Sequence, residues 1–230
     1  MINIVGGLCA KSQKVSSKAY VAYFSNPASF HEVASMQQER YGHSTLCING
    51  VVHVFGGYEC TNSTEPESLY TAEKYKDRKW VDIAEMPIPT AFAGVCLLED
   101  SMVYLFGGIS SFEVLNTVQQ WNAKTGDWKI LKWHMPLKMA KFGVAVDHQQ
   151  TIFVMGGVTE GETDDSQAML GTAYRLKKGD THWTKIANMK SKKTVYEAVP
   201  SQEGTFIVLP NGGSTKGECE SLMANHVSGR

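Results

Sequence analysis

No two of the five cysteines (Cys9, Cys47, Cys60, Cys96 and Cys219) lie close enough for a CxxC pair. That excludes a thiol-exchange motif and a zinc knuckle, and the odd count closes no disulfide framework. Reduced thiols are the reading, with Cys47 and Cys96 inside alternating apolar segments acting as small hydrophobes. Long hydrophobic runs are missing as well. The longest, 91–98, contains a glycine and falls far short of the roughly 18 residues a membrane helix needs. Neither charge sign dominates: 22 Lys+Arg face 23 Asp+Glu, a net charge of −1. That balance excludes a general nucleic-acid binder, which is visibly basic. Helical periodicity is scarce, so helix is expected to be minor. Met1 leads into Ile-Asn-Ile-Val-Gly-Gly without a basic segment, an apolar core or a cleavage site. The expectation is a cytoplasmic or nuclear chain, in which Asn62-Ser63-Thr64 is a polar loop and not a glycan acceptor.

Catalytic signatures are equally sparse. The seven histidines (His31, His43, His53, His134, His148, His182 and His226) are dispersed, none at metal-ligand spacing with a supporting carboxylate. No Gly-x-Ser-x-Gly elbow, phosphate-cradling loop or dinucleotide fingerprint occurs. The sequence therefore predicts no catalytic residue, no cofactor and no metal.

What it does contain is a repeat. Glycine doublets after apolar, strand-like residues fall at Gly6-Gly7, Gly56-Gly57, Gly107-Gly108, Gly156-Gly157 and Gly212-Gly213, roughly 50 residues apart. After each of the first four come two aromatics (Tyr23/Phe30, Tyr75/Trp80, Trp121/Trp128, Tyr174/Trp183) and then a methionine (Met36, Met86, Met135, Met189). Asn49-Gly50 suits a type I′ hairpin turn, where both central residues need positive φ. These landmarks give four short strands per unit. Trp80, Trp128 and Trp183 should be buried between neighbouring sheets, with their indole N–H groups on acceptors there.

A period near 50 with a glycine doublet and four strands resembles the kelch repeat, and the resemblance runs from residue 2 to about 213. It implies an all-β, kelch-type β-propeller of about four to five four-stranded antiparallel blades. The repeat units are 2–43, 44–93, 94–143, 144–195 and a partial 196–213. Residues 214–230 are left as a polar tail, either one further strand or disordered. The first unit supplies three strands, the next three supply four each, and the last supplies two. That count leaves an incomplete ring, to be completed by sequence outside this chain or by another chain.

Strand alternation places the loops that follow each Gly-Gly on the same face as the loops that lead into the next blade. The first set is acidic (Glu59, Glu65, Glu67, Glu160, Glu162, Asp164, Asp165) and the second basic (Lys138, Lys141, Lys190, Lys192, Lys193), with aromatics in both. Exposed aromatics beside charged rims suit a protein interface. Arg40, Tyr58, Phe92, Phe112, Lys141 and Phe142 are the expected partner-binding residues. The resemblance implies a non-enzymatic protein–protein interaction module, serving substrate recognition or scaffolding within a larger protein. Partners of such modules include ubiquitin ligases, actin and other cytoskeletal components, and neither nucleic acid nor membrane is expected. No BTB or BACK region accompanies the repeats, and Arg40 does not recur in later units, so the arginine-ringed pocket of some kelch adaptors does not carry over. Two alternatives stay open: a carbohydrate-modifying enzyme on a kelch-like propeller, and a structural subunit of a large assembly.

Overall fold

The computed structural model describes residues 2–9, 11–12, 14–60, 66–161, 167–200, 205–210 and 220–223, and among these there is no helix. Strands follow one another through antiparallel turns. β1 (Ile2–Leu8), β2 (Val15–Tyr23) and β3 (Asn26–Val33) form the first blade in that order. The second is β4 (Ser44–Ile48), β5 (Val51–Phe55), β8 (Ala72–Lys76) and β9 (Lys79–Ile83), with a two-stranded ribbon, β6 (Tyr58–Glu59) and β7 (Glu67–Ser68), set between β5 and β8. The third repeats this plan with β10 (Gly94–Leu98), β11 (Met102–Phe106), β14 (Val118–Asn122) and β15 (Trp128–Ile130), its ribbon being β12 (Ile109–Ser110) and β13 (Glu113–Val114). The fourth has β16 (Gly143–Val146), β17 (Ile152–Met155), β20 (Ala173–Leu176) and β21 (Thr184–Lys185), with the ribbon β18 (Val158–Glu160) and β19 (Gln167–Met169). The last blade contains β22 (Val195–Pro200), β23 (Thr205–Pro210) and β24 (Glu220–Met223).

One detail differs from expectation: the loops after Gly56-Gly57, Gly107-Gly108 and Gly156-Gly157 are paired ribbons. In the last blade, β24 is a further strand within the polar tail, one of the two alternatives for it. The doublet Gly212-Gly213 lies outside the described residues, as do Glu65, Glu162, Asp164 and Asp165.

The turn at Asn49-Gly50 has φ of 50° and 79°, the left-handed pair a type I′ hairpin needs. Glu99 and Asp100 take 51° and 57° at the matching place one blade later. The doublet-ending strands are the most covered. β17 is buried at all four positions and β5 at four of five, because the second and fourth blades each have a neighbour on both faces.

The doublet and the methionine prove to be one device. Gly6, Gly56, Gly107 and Gly156 all have φ between 53° and 68°, and a Cβ on any of them would run into the carbonyl oxygen of Arg40, Thr90, Met139 or Lys193 respectively. The next glycine donates its N–H to that same carbonyl, at 2.9, 2.9, 2.9 and 2.8 Å. Met36, Met86, Met135 and Met189 lie buried beside the first glycine of each pair.

Indoles tie each blade to the one before it. Trp80 Nε1 donates to the Ala34 carbonyl (2.8 Å), Trp128 to Ala84 (2.8 Å) and Trp183 to His134 (3.1 Å). Only Trp80 is fully buried; Trp128 and Trp183 keep part of their rings in solvent, short of the burial expected for all three.

Innermost strands β4, β10, β16 and β22 pack side by side in chain order. Among the described residues no sheet joins β1–β3 to β22–β24, so the ring is open. The cost shows at Ile4, 47% exposed, where Val54, Leu105 and Val154 at the same place in the next three blades are 0%, 1% and 0% exposed.

Candidate interaction face

Each inter-blade loop meets the ribbon of the following blade, and the contact is backbone. Tyr41 pairs with Tyr58, Ala91 with Ile109 and Ala140 with Val158, each through two reciprocal N–H to carbonyl bonds of 2.7–3.0 Å. These bridges place ribbons and inter-blade loops on one face. Beneath it lies an apolar layer of Tyr58, Ala91, Ile109, Val114, Ala140 and Val158.

Above that layer runs a row of left-handed residues, one per blade. Gly42, Phe92 and Lys141 have φ of 62°, 55° and 55°. Phe92 N donates to the Gly42 carbonyl (2.6 Å), Lys141 N to Phe92 (3.1 Å) and Val195 N to Lys141 (2.9 Å), a backbone chain that crosses from blade to blade. Side chains lean back along it. The Phe92 ring covers Gly42 where a Cβ would otherwise stand, and Lys141 Nζ sits 5.0 Å from the centre of that ring. Burial holds the Lys141 ammonium below its ordinary pKa. Tyr41 completes the cluster, 5.5 Å from Tyr58 and 6.1 Å from Phe92 between ring centres. Positive φ in non-glycine residues with large side chains is strain held by surrounding structure.

Arg40 is not on this surface. It is 0% exposed, and its guanidinium is spent internally. Nη1 donates to the Gly56 carbonyl (2.6 Å) and the Thr71 carbonyl (3.1 Å), while Nη2 donates to Thr71 Oγ1 (3.2 Å) and Glu73 Oε1 (2.7 Å). Glu73 in turn accepts from the backbone N–H of Gln37 (2.7 Å) and Gln38 (3.3 Å). One strand position of blade two therefore clamps the loop arriving from blade one. Gln119 does the same in blade three: its Oε1 accepts from Ile88 N (2.9 Å) and its Nε2 donates to Ile88 O (3.0 Å).

Tyr58 and Phe142 are buried too, Tyr58 under the ribbon and Phe142 in the seam between the third and fourth blades. An interface role for Arg40, Tyr58 and Phe142 needed exposure; what they hold instead is the frame under the loops. Phe92 and Lys141 are partly accessible, and Phe112 is 63% exposed at a ribbon tip with φ 73°. One pair from the two charged sets meets: Lys138 Nζ lies 2.8 Å from Glu160 Oε1. Glu59 Oε2 instead accepts from the neutral amide Gln38 Nε2 at 2.9 Å. Both Lys138 and Glu160 are about half exposed, so the pair contributes little stability.

Residues 1–202 match the family model of the KLHDC2/KLHL20/DRC7 Kelch-repeats domain. The chain belongs to the kelch-repeat family. Among curated kelch relatives, it is 26% identical to Kelch-like protein 25 of Xenopus tropicalis over 197 residues, 82% of this chain and 31% of that protein. It is 24% identical to human Kelch-like protein 23 over 162 residues, 69% of this chain and 28% of that protein. A shorter stretch of 90 residues, 37% of this chain, is 33% identical to N-acetylneuraminate epimerase of Escherichia coli strain K12 and spans 24% of that enzyme. The chain thus spans less than a third of the length of these relatives. The solved structure of YjhT superposes with a TM-score of 0.75 at 14% identity, covering 95% of this chain and 76% of that one.

Within the kelch frame, two features had escaped the sequence reading. Tyr41 is one: it stands beside Arg40, and its ring anchors the aromatic cluster. The clamp at Glu73 and Gln119 is the other. Its signal is a polar residue on an otherwise inward-facing strand position, repeated at the same place in two consecutive blades.

Proposed function

We propose that this kelch propeller is a non-enzymatic module that binds a protein partner through its ribbon and inter-blade loops, within an adaptor or scaffold protein of the cytoplasm or nucleus. Units 2–43, 44–93, 94–143, 144–195 and 196–213 are its building blocks. Phe112, Phe92 and Lys141 contact the partner, while Arg40, Tyr58 and Phe142 hold the loops in place from below. The observation that carries this reading is Phe112: a large apolar side chain 63% exposed at a left-handed ribbon tip, on the same face as the Lys141 cation stacked on Phe92. A bulky anchor held rigidly in water is costly unless it is buried in a complex. Similarity to Kelch-like proteins supports the class of partner, with ubiquitin-ligase components and cytoskeletal proteins the first to examine.

The test is a quantitative pull-down with wild-type, Phe112→Ala, Lys141→Glu and, as control on the opposite face, Lys124→Glu. Partners lost with the first two variants and kept with the third support the site. Partners lost only with Lys124→Glu overturn it. Similarity to N-acetylneuraminate epimerase supports one rival reading, sugar isomerisation. Proton NMR of N-acetylneuraminate incubated with the chain decides it, since faster anomer exchange than in buffer would make this chain an enzyme.

A further inference from the structure

The seam between the third and fourth blades opens outward at their outermost strands, β15 and β21, and both of its walls are complete four-stranded sheets. On the third blade, Tyr104, Gln120 and Lys129 stand in one row across the ladder. Tyr104 packs into this seam, and Trp128 points the other way, to the Ala84 carbonyl. Alternation therefore turns Lys129 toward the fourth blade. On the fourth blade, Trp183 reaches back to the His134 carbonyl. Lys185, two residues on and paired with Tyr174, shares its face. Trp133 lies at the mouth, its ring centre 6.5 Å from Trp183 and 6.5 Å from Phe106. Both tryptophans are only partly buried, and Lys132 beside them is exposed.

The preceding seam, between the second and third blades, shows which of these residues the fold requires. Ladder register puts Val81 at the place of Lys129 and Ile130 at the place of Lys185. Counting back from Met86 and Met135 puts Ala84 at the place of Trp133. Only the indole donor is common to both seams, as Trp128 in one and Trp183 in the other. The second tryptophan and the two lysines are additions that packing does not demand, and they bring half-exposed aromatic area and charge together. Composition marks the same place. No Asp or Glu occurs within 128–146 or 181–196, which together hold eight lysines, although the whole chain carries a net charge of −1. Asp127 and Asp180 bound the patch, in the connections that enter β15 and β21. A cationic area so short suits a few carboxylates and not a continuous phosphate backbone, which would run on over those acids.

We propose that this outer mouth is a second docking site, for an acidic protein segment that lays an apolar or aromatic side chain against Trp133 and Trp183 and sets its carboxylates on Lys129, Lys132 and Lys185. Tryptophan concentrates binding energy in a small contact, and the charges around it steer and select the partner. The site lies on the rim of the propeller and is independent of the loop face.

The probe is the peptide Glu-Asp-Glu-Phe-Leu-Asp-Glu, titrated into the isotope-labelled 230-residue chain and followed by NMR through the indole N–H signals. The Trp133 and Trp183 signals are expected to shift and the Trp80 signal to stay. Replacing Phe-Leu by Ser-Gly, or the acids by lysine, should weaken binding by about tenfold or more. So should Trp133→Ala, and so should the double variant Lys129→Val, Lys185→Ile, each of which installs residues of the preceding seam. The double variant changes only exposed positions, so it tests the site even where Trp133→Ala disturbs folding. Phe112→Ala, on the loop face, should leave the affinity unchanged. Absence of binding, unchanged affinity in the double variant, or loss of binding with Phe112→Ala overturns the proposal. Tighter binding of a single-stranded RNA or of phosphatidylserine vesicles, lost in the same variants, also overturns it by assigning the patch to nucleic acid or membrane.

Discussion

Replacing Arg40 with methionine, the residue that stands at the matching place in Met139, isolates the clamp between the first two blades. Arg40 and Glu73 side chains are 0% and 1% exposed, so the substitution leaves a carboxylate in the interior with only the Gln37 and Gln38 amides as donors. It also strips the Gly56 carbonyl of its 2.6 Å guanidinium donor. Breaking a buried ion pair by deleting one partner costs about 3–5 kcal/mol. At about 2–4 °C per kcal/mol for a chain of this size, melting should fall by on the order of 10 °C. The double variant Arg40→Met, Glu73→Gln removes both charges and installs at 73 the amide that Gln119 uses one blade later. Its cost should drop to about 1–2 kcal/mol, the size of a few altered hydrogen bonds. Urea unfolding of wild type, both single variants and the double variant, at constant m-value, gives the coupling. A methionine single variant within about 1 kcal/mol of wild type, or a double variant as unstable as the sum of the singles, would refute the clamp.

Gly56→Ala should destabilise far more than Gly126→Ala. Both need positive φ, at 59° and 83°, but a Cβ at 56 overlaps the Thr90 carbonyl, while at 126 it meets nothing within 4 Å; melting curves of the two variants read the difference, about 1 kcal/mol being expected for Gly126→Ala. Trp80→Phe should cost about 1–3 kcal/mol, because it removes the donor to the Ala34 carbonyl inside a buried seam. Trp128→Phe, whose seam is wetter, should cost less, and equal losses in calorimetry would contradict the burial difference. Burial, reinforced by the Arg40 charge, lowers the His43 pKa to about 4 from 6.5. The unfolded chain then binds the extra proton between those values, so stability is full above about pH 6.5 and declines as the pH falls toward 4. Melting followed from pH 7 to 4 should show a shallower decline in His43→Asn, and an unchanged slope would exclude His43 as a source.

The backbone-determined part of this fold was open to reading from the residues. Glycine doublets, Asn49-Gly50 and the periodic methionines are dictated by positive φ and by one carbonyl per blade, and such constraints leave a spacing in the sequence. Aromatic positions were less legible. By ladder register the equivalents of Tyr75 and Trp121 are Ala22 in the first blade and Leu176 in the fourth, not Tyr23 and Tyr174. Site residues were the hardest, because a charged or phenolic side chain in a loop defaults to solvent. Only the partners of Arg40, contributed by residues 56, 71 and 73, draw it inward.

The backbone chain through Gly42, Phe92, Lys141 and Val195 has an evolutionary corollary. It fixes the length of every inter-blade loop, since one added residue would carry a left-handed link out of reach of the next. The ribbons hang outside that chain and already differ in span: 58–68, 109–114 and 158–169. Insertions and new side-chain chemistry can therefore accumulate at ribbon tips while the loops beneath them stay fixed. Descendants of this chain would change what they recognise by lengthening their ribbons, with the same hoop of carbonyls and amides preserved underneath.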